Sequence, residues 1–226
     1  MVIEPRTEFG YLVPRAVQTT EHRVIPRSWH VAKRVIDICV ASLALILTSP
    51  IIIVAALAVM ATSKGGPFFS QLRIGKDGRS FRIIKLRTMV TGAELMHAEL
   101  RQFNEVSGPV FKMKNDPRTF PVGRFLRRTS IDELPNFLCV LRGDMSVVGP
   151  RPPLPSEVAH YSNYALRRLL VKPGITCSWQ ISGRSSVHFD EWMDMDNAYV
   201  DSWSPLTDLK IVLATIPAVV RARGAH

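Results

Sequence analysis

The sequence predicts an α+β protein, mainly helical, held to a membrane by one helical segment. Three observations lead there. The 226-residue chain has one long apolar stretch, Val35 to Ala61, a β-hairpin pattern follows it, and the remainder repeats apolar residues at helical spacing. The formal net charge of +10 points to nucleic acid, an anionic membrane surface or phosphate-bearing substrates as partners. Beside a membrane segment the last two take precedence, and no nucleic-acid-binding signature is present.

Thr48-Ser49-Pro50 interrupts the apolar stretch near its midpoint. A proline inside a helix removes a backbone hydrogen bond and kinks the axis, so the segment either turns back within the bilayer or crosses it as a kinked span. Basic residues bracket it on both sides, with Arg27, Lys33 and Arg34 before and Lys64, Arg73 and Lys76 after. Positive charge marks the cytoplasmic face, and here it marks both ends. As one straight helix, Arg34 to Lys64 would run about 45 Å against a hydrocarbon core of about 30 Å, whereas each limb alone reaches about 20 Å. Charge and length both suit a helix-break-helix that dips into one leaflet; a tilted span with a tolerated proline is the alternative.

No second stretch is long enough to cross, which excludes a multi-span carrier, and Leu209 to Val220 reads as an interfacial or core-packing helix. The chain therefore divides into a mobile basic arm (1–28), a membrane helix (29–64) and a further domain with interfacial helices (65–226). The first thirty residues lack an apolar centre, so a cleavable signal peptide is not expected. Cys39, Cys139 and Cys177 are too few and too scattered for a disulfide framework or a metal cluster, which suits a reduced compartment.

The hairpin is read from Phe68–Ile74 and Arg79–Lys85 around Gly75-Lys76-Asp77-Gly78, because an Asp-Gly pair accepts the positive φ of a tight turn. Thr91 to Glu105 has helical spacing in Leu95, Leu100 and Phe103. Val122 to Arg128 reads as a short basic segment leading to a helix at Asp132, whose Leu134, Phe137, Leu138 and Leu141 fall on one stripe. Gly143-Asp144 ends that helix. The loop Gly149-Pro150-Arg151-Pro152-Pro153-Leu154-Pro155 is stiffened by its prolines, and a helix is expected around Ser156 to Leu170. Gly174 to Arg184 reads as a loop or short strand, and 190–200 and 206–220 as helices. Trp179 and Trp203 suit either a membrane interface or the core.

The densest chemistry lies in Arg127-Arg128-Thr129-Ser130-Ile131-Asp132-Glu133-Leu134-Pro135. One reading is a helix start, with Ser130 and Glu133 at capping-box spacing and acids at the positive end of the dipole. The other is a phosphoryl-transfer site, where arginines neutralise phosphate while Asp132 and Glu133 hold a divalent ion or attack phosphorus. Arg118, Arg124, Arg127, Arg128, Arg142 and Arg151 are denser around the pair than a solvated helix requires, which favours the second reading.

Taken together, these segments resemble the bacterial sugar transferase family of monotopic phosphoglycosyl transferases, from about Lys33 to about Val220. The resemblance rests on Lys33-Arg34 with Asp37, the Ser49-Pro50 break, Phe69-Ser70-Gln71, Arg73-Ile74-Gly75 and Lys85-Leu86-Arg87-Thr88-Met89. It continues through Asn115-Asp116-Pro117-Arg118, Gly123 to Arg127, Ser130 to Pro135 and Gly143 to Pro152, then Lys172 to Thr176 and Trp179-Gln180-Ile181-Ser182-Gly183-Arg184. It implies a re-entrant membrane helix, with both termini and a helical catalytic domain on the cytoplasmic side of the inner membrane. It also implies transfer of a hexose-1-phosphate, galactose or glucose, from a UDP-sugar to undecaprenyl phosphate, with release of UMP, at the start of exopolysaccharide assembly. Larger members carry extra spans and a further domain, and this chain looks like a compact catalytic form, with room for a homo-oligomer.

On that resemblance Asp132 is the nucleophile that forms an aspartyl phosphosugar, and Asp132 and Glu133 hold Mg2+. An aspartate at its reference pKa of about 3.9 is ionised at neutral pH and needs no general base. Arg118 and Arg128 are the first choices for phosphate clamps, Lys85 and Arg87 face phosphate or lipid, and Pro150-Arg151-Pro152 borders the nucleotide. Asp144 either caps or approaches the ion. A non-catalytic, membrane-anchored basic scaffold is the competing reading.

Overall fold

The computed structural model describes residues 25–182 and 187–220. The arm through residue 24, Gly183-Arg184 of the last motif and residues 221–226 lie outside the described residues. Arg27–Thr62 form one 36-residue helix, α1, with Pro50 inside it. Pro50 has no N–H to give the carbonyl of Ile46, and the Ser49 hydroxyl donates to that oxygen instead at 2.9 Å. Thr48 donates to Ala44 O at 2.7 Å in the turn before. The helix therefore runs through its proline without leaving that carbonyl bare. Leu43, Ile46, Leu47, Ile53 and Val54 around the proline are all exposed, as expected of a surface meant for lipid.

Both ends of α1 are docked onto the rest of the chain. At the N-terminal end, Arg34 donates to Val140 O at 2.6 Å and Leu141 O at 2.8 Å. Asp37, buried, accepts from Ser146 Oγ and Val147 N, each at 2.9 Å. Lys33 reaches Asp208 Oδ2 at 2.5 Å and Val148 O at 3.0 Å. Charges that the sequence presents as markers of a membrane face are thus turned inward as fasteners. At the other end, Ala55, Ala56 and Val59 pack with Leu86, Phe120 and Leu126.

The hairpin forms as expected, with β1 (Phe68–Ile74) antiparallel to β2 (Ser80–Leu86) and Phe68 opposite Leu86. Asp77 (φ 57°) and Gly78 (φ 76°) supply the positive φ of its turn. The expected helix over Thr91–Glu105 contracts to α2 (His97–Leu100) and a 3-10 turn, Arg101–Phe103. The basic segment is itself a helix, α3 (Pro121–Thr129), with proline in its first turn, where a missing N–H costs nothing. Gly123 lets α3 touch the hairpin's exit: a Cβ there would lie 2.1 Å from Thr88 O.

A 3-10 turn, Ile131–Asn136, precedes α4 (Phe137–Arg142). Then β3 (Ser146–Val148) pairs in parallel with β4 (Gly174–Thr176), a sheet that the sequence did not announce. Gly149 and Gly174 face each other so closely that a Cβ on Gly174 would lie 2.1 Å from Gly149 N. Between the strands come α5 (Pro155–Val158), α6 (Asn163–Leu166) and a 3-10 turn, Arg167–Leu170, in place of one longer helix. After β4 come α7 (Ser178–Ser182), α8 (Phe189–Ser202) and α9 (Pro205–Val220). The main core joins Ala41 of α1, Ile83, Val140, Val147, Tyr199 and Ile211, so anchor and domain share one interior. Trp203 belongs to that core, with Nε1 donating to Asp208 Oδ2 at 3.0 Å.

Candidate active site

Asp132 and Glu133 lie in the 3-10 turn, which the chain enters through Ser130 in the left-handed conformation (φ 58°, ψ 17°). The capping box of the alternative reading does not form: Ser130 makes no side-chain cap bond, and Glu133 instead pairs with Lys85 of β2. Asn136 fixes the turn against the hairpin by accepting from Ile84 N at 3.2 Å. Both carboxylates face a cleft of ≈ 880 Å³, whose walls include Lys85, Arg73, Arg127, Arg151, Pro152 and Trp179.

The two adjacent acids are driven in opposite directions. Burial pushes the Asp132 carboxyl up to about 6, with the Glu133 charge adding to the rise and Lys85 and Arg127 opposing it. Burial works against Glu133 as well, but Lys85 in contact, then Arg151 and Arg73, hold it below the ordinary glutamate range. Asp132 is therefore ionised at neutral pH by about one unit rather than by the three that a free aspartate would have. Paired acids with opposed shifts are the pattern of a reactive site more often than of a cap.

Several of the predicted basic residues are spoken for. Arg87 is buried and donates to Gly66 O at 2.6 Å, Ser63 Oγ at 2.8 Å, and Ser63 O and Gly65 O at 3.1 Å each. It closes the C-terminal end of α1 and also lines the cleft. Arg118 forks onto Asp116, at 2.6 Å from Nη2 to Oδ2 and 2.9 Å from Nε to Oδ1, and lies over the Phe111 ring. It builds the wall of the cleft. Arg128 is exposed on α3 and does not line the cleft; Arg127 does. The sequence nominates Arg128, whereas Arg127 is the member of the pair that reaches the cleft, because on a helix each successive residue turns by about 100°.

Arg151 does line the cleft, and it also donates to Glu157 Oε2 at 3.2 Å. Its loop is held rigid from both sides: Gly174 N donates to Pro150 O at 2.9 Å, Arg73 Nη1 to Pro152 O at 3.0 Å, and Ile74 N to Pro153 O at 2.9 Å. Pro150 is buried beneath the loop, and Pro152 is the proline that reaches the cleft. Asp144 lies outside the cleft lining, in the turn that ends α4.

Five further residues around the cleft are not nominated as site residues from the sequence, although Arg73 and Trp179 fall in the motifs quoted above. Arg73 is buried, and burial and then the nearby Arg151 charge lower its guanidinium from the ordinary arginine value. Since it remains charged, an anion between the two guanidinium groups would relieve both. Arg168 and Asp196 form a fully buried pair at 2.7 Å, and Arg168 also holds Arg151 O at 2.9 Å and Tyr161 Oη at 2.8 Å. Trp179 and Trp192, with ring centroids 4.4 Å apart, make an aromatic rim to the cleft. No short-range signal identifies these residues, because each acts through partners far away in sequence. Among the described residues no group of three or more His, Cys, Asp or Glu side chains forms a metal cluster.

Residues 28–222 match the family described as Bacterial sugar transferase. Galactosyl transferase CpsE of Streptococcus agalactiae is 44% identical over 197 residues, which cover 86% of this chain and 43% of the relative. Exopolysaccharide production protein ExoY of Rhizobium meliloti is 41% identical over 199 residues, covering 86% of this chain and 88% of the relative. The UDP-glucose:undecaprenyl-phosphate glucose-1-phosphate transferase of Klebsiella pneumoniae is 42% identical over 195 residues, covering 82% of this chain and 39% of the relative. The chain thus spans less than half the length of the streptococcal and Klebsiella relatives and most of the rhizobial one.

Proposed function

The chain belongs to the bacterial sugar transferase family, and from that premise we propose that it transfers a hexose-1-phosphate from a UDP-sugar to undecaprenyl phosphate, releasing UMP, as the first step of exopolysaccharide assembly. The observation that carries this reading is the pair Asp132 and Glu133, pushed apart in acidity on the floor of a cleft walled by Lys85, Arg73, Arg127 and Arg151. A carboxylate so placed is a nucleophile in surroundings built for polyphosphate.

In the first step an Asp132 carboxylate oxygen bonds to the sugar-bearing phosphorus, and the bond from that phosphorus to the bridging oxygen breaks, so UMP leaves with the oxygen and the electron pair. In the second step a phosphate oxygen of the acceptor attacks the same phosphorus and Asp132 departs as a carboxylate. Neither step requires a proton from the nucleophile. Glu133, kept ionised by Lys85, prevents that lysine from neutralising Asp132 outright, and Arg127, Arg151 and Arg73 offset the charge of the pyrophosphate. The adjacent carboxylates also suit Mg2+, which is commonly held by one or two carboxylates together with substrate phosphates. Asp132 and Glu133 would hold it, and it would supply neutralising charge for the phosphates.

The same reading sets the topology. A helix that crossed the bilayer would put its ends about 30 Å apart on opposite faces, yet Arg34 near the start of α1 and Val59 near its end both pack on one globular unit. That supports a re-entrant α1 on the cytoplasmic side of the inner membrane. The catalytic assignment is tested by incubating the membrane-bound protein with UDP-galactose or UDP-glucose, Mg2+ and undecaprenyl phosphate. UMP release and a phosphohexose adduct by intact mass are expected, and both are lost in Asp132→Asn. Turnover undiminished in that variant would return the protein to the scaffold reading.

A further inference from the structure

Among the described residues Arg168 is the largest side chain enclosed by the protein, 1% exposed, and Asp196, which it meets at 2.7 Å, is buried as deeply. Neither lines the cleft. Such a pair is a poor stabiliser, because the loss of two hydration shells offsets the attraction and an apolar pair of similar volume often does as well. Arg168 is not fully satisfied either: its Nε is buried without a hydrogen-bond partner among the described residues. What the pair supplies is direction. The planar guanidinium donates from Nη2 to Arg151 O at 2.9 Å and from Nη1 to Tyr161 Oη at 2.8 Å, while the Asp196 carboxylate ties it to α8.

Arg151 is the charged member of the proline loop that reaches the cleft. The carbonyls of Pro150, Pro152 and Pro153 take donors from Gly174 N, Arg73 and Ile74 N, and Arg168 supplies the corresponding bond at Arg151 itself. The Arg151 guanidinium is braced by Glu157 Oε2 at 3.2 Å and lies over the Trp192 ring, 5.7 Å from its centroid. Arg168 lies over the same ring at 5.0 Å. Trp192 and Asp196 stand four residues apart on α8, so one helix face presents both the ring and the counter-charge. The backbone and the side chain of Arg151 are therefore set by the same buried group. We propose that the Arg168 and Asp196 pair is a positioning device for Arg151, aiming its guanidinium at the phosphate that stays with the uridine. Binding of the nucleotide half of the donor then depends on two residues that do not touch it. The inference rests on the transfer reading above and assigns the pair to the first of its two steps.

The two half-reactions separate positioning from general support, because in a two-step exchange the kcat/KM of each substrate belongs to its own step. With full-length protein in lipid nanodiscs, a UDP-sugar alone gives a single burst of UMP, and undecaprenyl phosphate then discharges the adduct. Arg168→Met combined with Asp196→Leu removes both charges and keeps the volume filled. It is expected to lower kcat/KM for the UDP-sugar about tenfold and to weaken UMP binding by calorimetry to match, with kcat/KM for undecaprenyl phosphate unchanged. In an Arg151→Ala background the same two substitutions should cost nothing more. Arg168→Lys, which keeps the ion pair but has no fork, is expected to show the same selective loss, and it decides the matter should the apolar pair fail to fold. Equal losses in both half-reactions, or a loss that persists without the Arg151 side chain, would make the pair general scaffold and overturn the proposal alone. Unchanged UMP binding in folded variants would overturn it too. Absence of the burst in the unmodified protein would overturn the transfer reading, while the UMP-binding comparison would still test the pair.

Discussion

The joint that fastens α1 and the cleft that holds Asp132 are made from the same residue types, and they settle charge differently. In the joint, Lys33 meets Asp208, Arg34 meets two helix-end carbonyls, Asp37 meets a hydroxyl and a backbone N–H, and Arg87 meets carbonyls and a hydroxyl around Ser63. These bonds close within the protein. In the cleft, Asp132 is held near the edge of ionisation and Arg73 lies close to a second guanidinium, so protein partners leave a residue of charge that a substrate can complete. A charge satisfied by its own chain makes scaffold, and one left short of a partner makes a site.

The largest stability effects should come from the joint. Asp37→Ala leaves the buried Val147 N–H and Ser146 hydroxyl without their acceptor, and Arg87→Ala leaves the carbonyls around Ser63 to Gly66 without a donor. Each is expected to cost on the order of 3 kcal/mol, read as a loss of several degrees in thermal unfolding of the detergent-solubilised chain. Joint variants that unfold normally yet lose turnover would break the comparison, because they would place Arg87 or Asp37 in the chemistry.

Asp132 should behave in the opposite way. Its folded pKa of about 6 lies above the unfolded value of 3.8, so the folded state binds more protons between those values. Ionising it costs stability, fully above about pH 6, and the cost disappears as pH falls below 3.8. Asp132→Asn removes that cost and is expected to raise stability at pH 7.5 by on the order of 2 kcal/mol while abolishing turnover. The rate of UMP release in the first step should fall about tenfold per unit below pH 6. Lys85 lowers the Asp132 value, so Lys85→Met should carry that fall to higher pH. A limb that does not move would remove Asp132 from the role of nucleophile.

What the sequence made legible follows from the range of the forces involved. The hairpin was readable because Asp77-Gly78 and the residues on either side act locally, and its strand bounds agree within a residue. The apolar helix was readable from composition alone. The parallel pairing of β3 with β4 was not, since strands of three residues are too short to carry a periodic pattern and their partners lie far apart in sequence. Nor was the fate of the arginines: Arg87 is settled by Ser63, Arg168 by Asp196 and Arg34 by Val140, and no pattern in the chain fixes such distant pairs. Asp132 and Glu133 could be nominated from their neighbours, but the split in their acidity needed Lys85 from another element.

The smallest effect sharpens the comparison at the midpoint of α1, where neither joint nor cleft reaches. Ser49 supplies to Ile46 O the bond that Pro50 cannot, and it does so on an exposed surface, where within a bilayer no water would substitute. Ser49→Ala should therefore cost about 1 kcal/mol, seen as faster amide exchange in residues 44–50 of the nanodisc-bound protein, with the UMP burst unchanged. Because the bare carbonyl then favours a backbone that can find another donor, Pro50→Ala in the same background should restore protection by returning the N–H. Failure of that second substitution to rescue would mean that the serine acts through something other than the carbonyl its neighbour abandons.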